Sequence, residues 1–428
     1  MTAEIAILNR SAIAVAADSA VTVGRSRVHR FANKIFTISD NCPIGLMVYG
    51  YAEHCGIPWE TVAKVFRRDH SHVRFKTVRN CYLAFREYLA NDKLFTTTAQ
   101  ERNILFFSVS VMSQVYREVR DLTRSQISAR LPDIIQRRTE RIAGLSDELT
   151  FVPPTRRALR SEVMPFIELL LKETFKRLDY VVPVRLRSPL CNLIDAHLRS
   201  PWLSDYEAGV VVFGFGDDEL LPSLYSHQFD CGCFGNLRSV KHVEVNFGEQ
   251  SEIHIIPFAD RDVMDVFMEG SNQSTRAFFT TLMQRSMREV ADRIIKDNFS
   301  LTDDEFAVIK TMNEKTITDI MRKTVTTART WIHEKSVEPV LNVVRALPKE
   351  DMATLAEALV EVTALKKKVS SDIETVGGPV DVCLVTKGDG LIWIKRKHYF
   401  DLDKNQQYLY NRFTARRHSD GDPNGEAS

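Results

Sequence analysis

Short apolar runs punctuated by turn residues open the chain. Glu4-Ile5-Ala6-Ile7-Leu8 and Ala12-Ile13-Ala14-Val15-Ala16-Ala17 flank the turn signal Asn9-Arg10-Ser11, which predicts a hairpin whose strands are buried on at least one face. Lys34-Ile35-Phe36-Thr37-Ile38 and Ile44-Gly45-Leu46-Met47-Val48-Tyr49-Gly50 repeat the pattern around Asp40-Asn41-Cys42-Pro43. Four short strands in succession imply antiparallel pairing. Pro58 suits a first helical turn, and Val62, Val65 and Phe66 mark a helical stripe. Residues 73–199 read as mostly helical, with breaks predicted near Pro132, Pro153-Pro154 and Pro183. Strands return at 208–215, 223–226, 243–245 and 253–256. Helices follow over 274–297, 303–344 and 349–369, the last with Met352, Leu355, Leu359, Val362 and Leu365 along one face. Strands 380–386 and 391–394 close the pattern around the turn Lys387-Gly388-Asp389-Gly390.

Helix blocks that separate groups of antiparallel strands predict an α+β fold, with two stacked sheets covered by helix layers. The chain divides into a first half-core at 1–72, a helical insertion at 73–205, core strands and helix at 206–300, a second helical insertion at 301–346, a C-terminal core helix and strands at 347–413, and a polar tail at 414–428 expected to be disordered.

Composition narrows the classes. Of 428 residues, 44% are hydrophobic and 26% charged, and 57 Lys+Arg balance 56 Asp+Glu, which excludes disorder as the main state and gives no support to a cationic nucleic-acid binder. The arginines between residues 117 and 160 alternate with acidic residues, as on a solvated helix face, so no nucleic-acid partner is expected. No apolar run approaches the roughly 18 residues of a membrane span, and the N-terminus lacks the features of a secretory signal. No membrane partner is expected, and a cytoplasmic location is. Seven scattered cysteines suit reduced thiols. Cys231-Gly232-Cys233 with His227 supplies too few ligands for zinc, and His70-Ser71-His72 reads as a polar loop. Gly214-Phe215-Gly216 lacks the third glycine of a dinucleotide site, and no phosphate-binding loop is present. No cofactor and no metal are therefore expected.

The chemistry concentrates at the N-terminus. Removal of Met1 would leave Thr2 first, with a hydroxyl nucleophile and an α-amine on one residue. That amine has an ordinary pKa of about 7.7–8.0, so it can act as a base near neutrality. Asp18 follows the second strand and Lys34 begins the third, so three strand ends can converge. A buried Lys34 would stabilise developing negative charge and favour the neutral amine, and Asp18 would hold Lys34 charged and oriented.

On Thr2, on Ala16-Ala17-Asp18-Ser19-Ala20-Val21-Thr22, on Lys34-Ile35-Phe36 and on the glycine of Val48-Tyr49-Gly50, the segment from residue 2 to 50 resembles proteasome β-subunits and their bacterial relative HslV, which are N-terminal-nucleophile (Ntn) hydrolases. Val211-Val212-Phe213-Gly214-Phe215-Gly216-Asp217-Asp218 with the strand at 222–226 looks like the family's central hairpin. Glu269-Gly270-Ser271-Asn272 is similar to the turn that carries its accessory serine, and Gly377-Gly378-Pro379-Val380-Asp381-Val382 to a late strand. Asp372 and Thr375 keep the family's spacing to each other, but Val376 is an extra residue before Gly377.

The resemblance implies a four-layer αββα Ntn-hydrolase sandwich and a threonine-type peptidase. Thr2 Oγ would attack the scissile carbonyl and the α-amine would take its proton. Lys34 would lower the pKa of the site, Asp18 would orient Lys34, and the Gly50 N–H would stabilise the oxyanion. Ser271, Asp372 and Thr375 would support the amine. It further implies a peptide or unfolded-protein substrate, a homo-oligomeric ring and an AAA+ unfoldase partner. An Ntn amidohydrolase of small amides and a catalytically silent assembly subunit stay open as alternatives. The resemblance leaves the helical insertions unexplained.

Overall fold

Strands β1 (Ala3–Leu8) and β2 (Ile13–Ala17) pair antiparallel, Glu4 opposite Ala17 and Leu8 opposite Ile13. The Asn9 side chain closes their turn by accepting from the backbone N–H of Ser11 at 2.9 Å and of Ala12 at 3.1 Å. The computed structural model describes residues 3–23, 27–29, 32–145, 148–230, 232–247, 253–299, 301–369, 377–397, 403–406 and 410. The predicted tail, 414–428, lies outside them.

A small ribbon, β3 (Val21–Val23) with β4 (Arg27–His29), follows and was not evident from the sequence pattern. β5 (Ile35–Thr37) and β6 (Ile44–Gly50) form the second expected hairpin. After a two-residue ribbon of β7 (Glu53–His54) and β8 (Ile57–Pro58) come helices α1 (Trp59–Asp69), α2 (Val78–Leu89), α3 (Thr97–Val119) and α4 (Arg124–Ala143). β9 (Leu149–Thr150) precedes α5 (Arg156–Phe175) and α6 (Arg187–Arg199). Strands β10 (Ala208–Gly214), β11 (Ser223–Phe229), β12 (Ser239–Asn246) and β13 (His254–Ala259) follow. Then come α7 (Asp262–Glu269), α8 (Gln273–Asn298), α9 (Asp303–Ile332), a π-helical turn at His333–Val337, α10 (Glu338–Arg345) and α11 (Lys349–Val369). The last hairpin is β14 (Asp381–Thr386) with β15 (Gly390–Lys395).

The fold is mixed helix and strand with antiparallel sheets. One sheet runs β13-β1-β2-β14-β15 and the other β5-β6-β10-β11-β12-β9, so the two opening hairpins belong to different sheets. Period-two alternation explains how they pack. Ala6, Leu8, Val15 and Ala17 of the first sheet share a core with Met47, Tyr49, Val211 and Phe213 of the second. The opposite parity, Ile5, Ile7, Ala14 and Ala16, packs on Met352, Ala356 and Val360 of α11. Leu46, Val48, Val210 and Val212 pack on Val62 and Phe66 of α1 and on Cys81 and Phe85 of α2.

Two details correct the sequence reading. Pro132 does not break a helix; α4 runs through it, as α5 runs through Pro165. Both prolines and the residues four before them, Ser128 and Ser161, are exposed, so the carbonyl that each proline leaves without a partner faces water. The buried face of α11 is Met352, Ala353, Ala356, Leu359, Val360 and Thr363, whereas Val362 and Leu365 are exposed. Small Ala353 and Ala356 let the helix settle on the alanines of β2.

Helices α3 to α6 have a core of their own, including Val111, Val115, Leu131, Ile135, Ile167 and Ile194. Arg238, fully buried just before β12, ties this bundle to the sheet. Its guanidinium pairs with Asp230 at 2.5 Å and donates to the carbonyls of Leu198 (3.0 Å), Trp202 (2.6 Å), His197 (3.4 Å) and Ser200. It thereby satisfies carbonyls left open at the C-terminus of α6. Replacing Arg238 by Met removes the guanidinium that neutralises the buried Asp230 carboxylate. The variant is expected to lose about 3–5 kcal/mol of stability, read as a lowered urea midpoint, while Lys241→Met on the exposed side of β12 stays close to the wild type.

Candidate functional site

The antiparallel turn that joins β1 to β2 carries Asp18 back to the start of β1. The Asp18 N–H donates to the Ala3 carbonyl at 3.0 Å, and the Ala3 N–H donates to Asp18 Oδ1 at 3.1 Å. Lys34 enters from the other sheet, one residue before β5. Its Nζ donates to Asp18 Oδ1 and, at 2.9 Å, to Glu4 Oε1. All three side chains are shut off from water, Asp18 at 0%, Glu4 at 2% and Lys34 at 4% exposure. Asp18 Oδ2 accepts from the N–H of Gly377 at 2.8 Å and of Ala20 at 3.4 Å. One carboxylate thus fastens the first residues of β1, the end of β2, the segment before β14 and the lysine of the facing sheet.

Burial pushes the Lys34 ammonium toward its neutral form, but the Glu4 and Asp18 carboxylates outweigh it and hold its pKa above the ordinary 10.5. Lys34 is therefore a fixed positive charge near neutrality, not a base. A second buried pair sits alongside. Asp381, opposite Ala17 on β14, accepts from Lys397 Nζ and, at 2.8 Å, from the Lys397 N–H. Burial lowers the Lys397 pKa, Asp381 opposes that shift, and the charge of Lys34 adds to it. On the far side of β1, Asp260 meets Lys367 of α11 at 2.8 Å. Ala259, the partner of Ala3 on β13, holds a left-handed φ of 63°, a strained conformation for a residue with a side chain.

The structure therefore brings Asp18 and Lys34 together at the start of β1. Glu4 was missing from the sequence reading although it carried a signal: it shares the parity of Ala6 and Leu8, the face turned toward the second sheet, where a carboxylate needs a partner. Gly50 ends β6 two residues beyond Val48, whose N–H donates to the Lys34 carbonyl at 2.9 Å, so Gly50 and Lys34 lie at the same end of the second sheet. Its φ is 80°, and a Cβ there would stand 2.5 Å from the Glu207 carbonyl oxygen. The Glu207 carboxyl is pushed up to about 7 by burial and by the charges of Asp230 and Asp205. Ser271 lies after α7, with its carbonyl accepting from Arg276 at 2.5 Å. No hydrogen bond among the described residues joins it to Asp18, Glu4 or Lys34. Thr2, Asp372 and Thr375 lie outside the described residues, Thr2 being bonded directly to Ala3.

Other polar groupings offer less. Cys231 lies outside the described residues, and no group of three or more His, Cys, Asp or Glu among those described could hold a metal. Cys55 lies 3.7 Å from His54 Nε2 and 3.6 Å from Asn103. That nitrogen also meets the Leu89 carbonyl at 2.9 Å, burial lowers the His54 pKa to about 4, and burial raises the Cys55 thiol. The thiol lacks an activating base.

No protein-family model matches the chain, and no curated protein does. Solved structures do. They include the helical assembly of the Anbu complex from Pseudomonas aeruginosa, at 10% identity and a TM-score of 0.34 over 99% of this chain and 98% of that one. Anbu (ancestral beta-subunit) from Yersinia bercovieri is at 10% identity and 0.27 over 99% of both chains. The Anbu (Gly-1) mutant from Hyphomicrobium sp. strain MC1 is at 9% and 0.28 over the whole of both. These findings correct the resemblance read from residues 2–50: no family model or curated protein supports an HslV-like assignment, and the matching structures are Anbu proteins. Superpositions this loose carry no argument about activity, so the chemistry rests on the residues. No helix among the described residues is long and apolar enough to cross a membrane.

Two expectations follow from the geometry. Because the folded pKa of Lys34 is raised, its contribution to stability is complete below the ordinary lysine value of 10.5 and fades as pH rises through the folded value. The stability gap between wild type and Lys34→Met should be flat from pH 6 to 9 and shrink in alkali, as measured by urea unfolding across that range. Gly50→Ala should destabilise by more than about 1 kcal/mol, since both φ and the Glu207 carbonyl oppose a Cβ; an unchanged melting temperature would contradict this.

Proposed function

We propose that the protein is a threonine-type peptidase whose nucleophile is Thr2, exposed by removal of Met1. The observation that carries this reading is the placement of a permanently charged, buried Lys34 against Asp18, while Asp18 also accepts from the backbone of Ala3, the residue after Thr2. A buried lysine held by two carboxylates costs desolvation that an apolar cluster of the same volume would avoid, so its bridging of the sheets alone does not account for the charges.

In this reading Thr2 Oγ attacks the scissile carbonyl carbon, and its proton passes to the α-amine. The C–N bond then breaks, and the departing amine takes that proton. Water cleaves the resulting ester and restores Thr2. The Lys34 ammonium favours the alkoxide developing on Oγ and disfavours protonation of the nearby amine, which keeps it basic at neutral pH. Asp18 and Glu4 act through Lys34 as positioning residues. The Gly50 N–H is the candidate oxyanion donor, worth on the order of 3 kcal/mol in comparable sites, and Ser271, Asp372 and Thr375 stay candidates for supporting the amine. We read the layered packing as the αββα sandwich of Ntn hydrolases. β5 is an edge strand of its sheet and starts one residue after Lys34, which suits an extended peptide pairing along it.

Intact-mass analysis of the purified protein should show loss of Met1. A β-lactone or epoxyketone probe should add once, at Thr2, and Thr2→Ala should abolish the adduct and lower peptide turnover by about a thousandfold or more. Retention of Met1, or unchanged turnover in Thr2→Ala, would overturn the mechanism. An unlabelled Thr2 in a processed protein would instead favour a silent assembly subunit.

A further inference from the structure

The turn between β7 and β8 is two residues long, with Cys55 at a φ of 53° and Gly56 at 83°. Both are left-handed, as a type I′ turn requires, and Cys55 stands where asparagine or glycine ordinarily does. Gly56 also has to be bare. The guanidinium of Arg102, from the second turn of α3, lies against it, and a Cβ there would run into that group. The charge of Arg102 acts on the Cys55 thiol and on the Tyr51 hydroxyl, so the three groups meet in one place. They line a cleft between the β7–β8 ribbon, the early turns of α3 and the start of β10. Tyr51 follows Gly50 directly, so the cleft adjoins the end of the second sheet where Gly50 and Lys34 lie.

Arg102 has a place but no partner. Its Nε is buried without a hydrogen bond, and no described residue pairs with its guanidinium. Asp230, on the same wall, is held by Arg238, and Glu53 makes no ion pair with Arg102. A cation left in this way is costly, and an anion entering the cleft removes the cost. Size and shape choose the anion. The enclosed space is about 40 Å³, room for a group of about three heavy atoms. A carboxylate fits it and matches the planar fork of a guanidinium, whereas Glu53 on the wall disfavours a dianion such as phosphate. Beside this space, Tyr51 meets Tyr206 edge-on at 5.4 Å and Phe106 stacks on Tyr206 at 4.7 Å. All three rings are half-buried and offer a surface to an aromatic group next to the carboxylate. We propose that Arg102 and the Tyr51–Tyr206–Phe106 wall form a binding site for a carboxylate borne on an aromatic group, as at the C-terminus of a peptide ending in phenylalanine or in a free aryl-substituted acid. Binding there does not require Thr2 to act as a nucleophile.

Titration calorimetry of the full chain with N-acetyl-phenylalanine tests this, with its primary amide as control. The acid should bind saturably with a Kd of about 1 mM or tighter, and the amide about tenfold more weakly or worse. Arg102→Met should weaken the acid by about tenfold or more. Its melting temperature without ligand should be unchanged or higher, because the variant removes an unpaired charge; an arginine needed only for the fold would lower it. The tripeptide N-acetyl-Ala-Ala-Phe separates the two sources: tighter binding than the single residue assigns the site to a peptide end, and equal or weaker binding to a small acid. Thr2→Ala should bind the acid as the wild type does, so failure of the peptidase reading and failure of this site are told apart. No saturable binding, equal binding of acid and amide, or an Arg102→Met variant that binds unchanged or melts lower would each overturn the proposal.

Discussion

Lys34 is held between two carboxylates in a place water does not reach, and the rest of the fold is arranged around that fact. The lysine comes from the strand edge of one sheet, and Glu4 and Asp18 come from the other, so the ion cluster is also the bolt between the sheets at this end. Taking such charges out of water costs several kcal/mol per ion, and that cost is offset only because every group is multiply engaged. Asp18 accepts from two backbone amides through Oδ2 and from Ala3 and Lys34 through Oδ1. Removing any partner leaves a charge with nowhere to go, which makes the arrangement stiff. Stiffness here fixes the backbone of Ala3 against the ammonium, so a nucleophile on the adjoining residue would meet a field set in advance rather than one assembled during reaction.

Packing explains why the cluster sits at the end of the sheets rather than in their middle. The inner face between them is filled by aliphatic and aromatic side chains, Phe213, Phe215 and Phe258 among them, together with Tyr49, whose ring lies where a Cβ on Gly209 would have to be. Charge is admitted only where strands β1, β2 and β5 begin or end and loop amides are free to donate. Asp381 with Lys397 and Asp260 with Lys367 follow the same rule at neighbouring strand ends. The chain thus gathers three lysine–carboxylate pairings around one rim.

Much of this was legible in residue order. Period-two runs located the opening hairpins, the later strands and the last hairpin, because sheets buried on both faces still need turns of recognisable chemistry. The span of α11 was legible too, but not its inward face, since alanines against alanines make a closer contact than the large residues that a hydrophobic stripe highlights. Pro132 misled because the penalty of a proline falls when the freed carbonyl is solvated. Asp18 and Lys34 could be named from their places at strand ends. Glu4 was passed over, although a carboxylate on the parity of Ala6 and Leu8 stands out, because its meaning appears only once the facing sheet supplies Lys34. The resemblance of residues 2–50 to a known family went further than the whole chain supports, for a short motif constrains local chemistry and says little about the residues outside it.

The helices outside the sheet layers show two different ways of handling their apolar surface. The α3–α6 bundle closes on itself around buried leucines, isoleucines and valines, and a single arginine caps its exit, so it needs nothing further. The α8–α9 hairpin does not close. Thr302 and Glu305 form a capping box at the start of α9, and ion pairs bridge the two helices, which secures helicity but not burial.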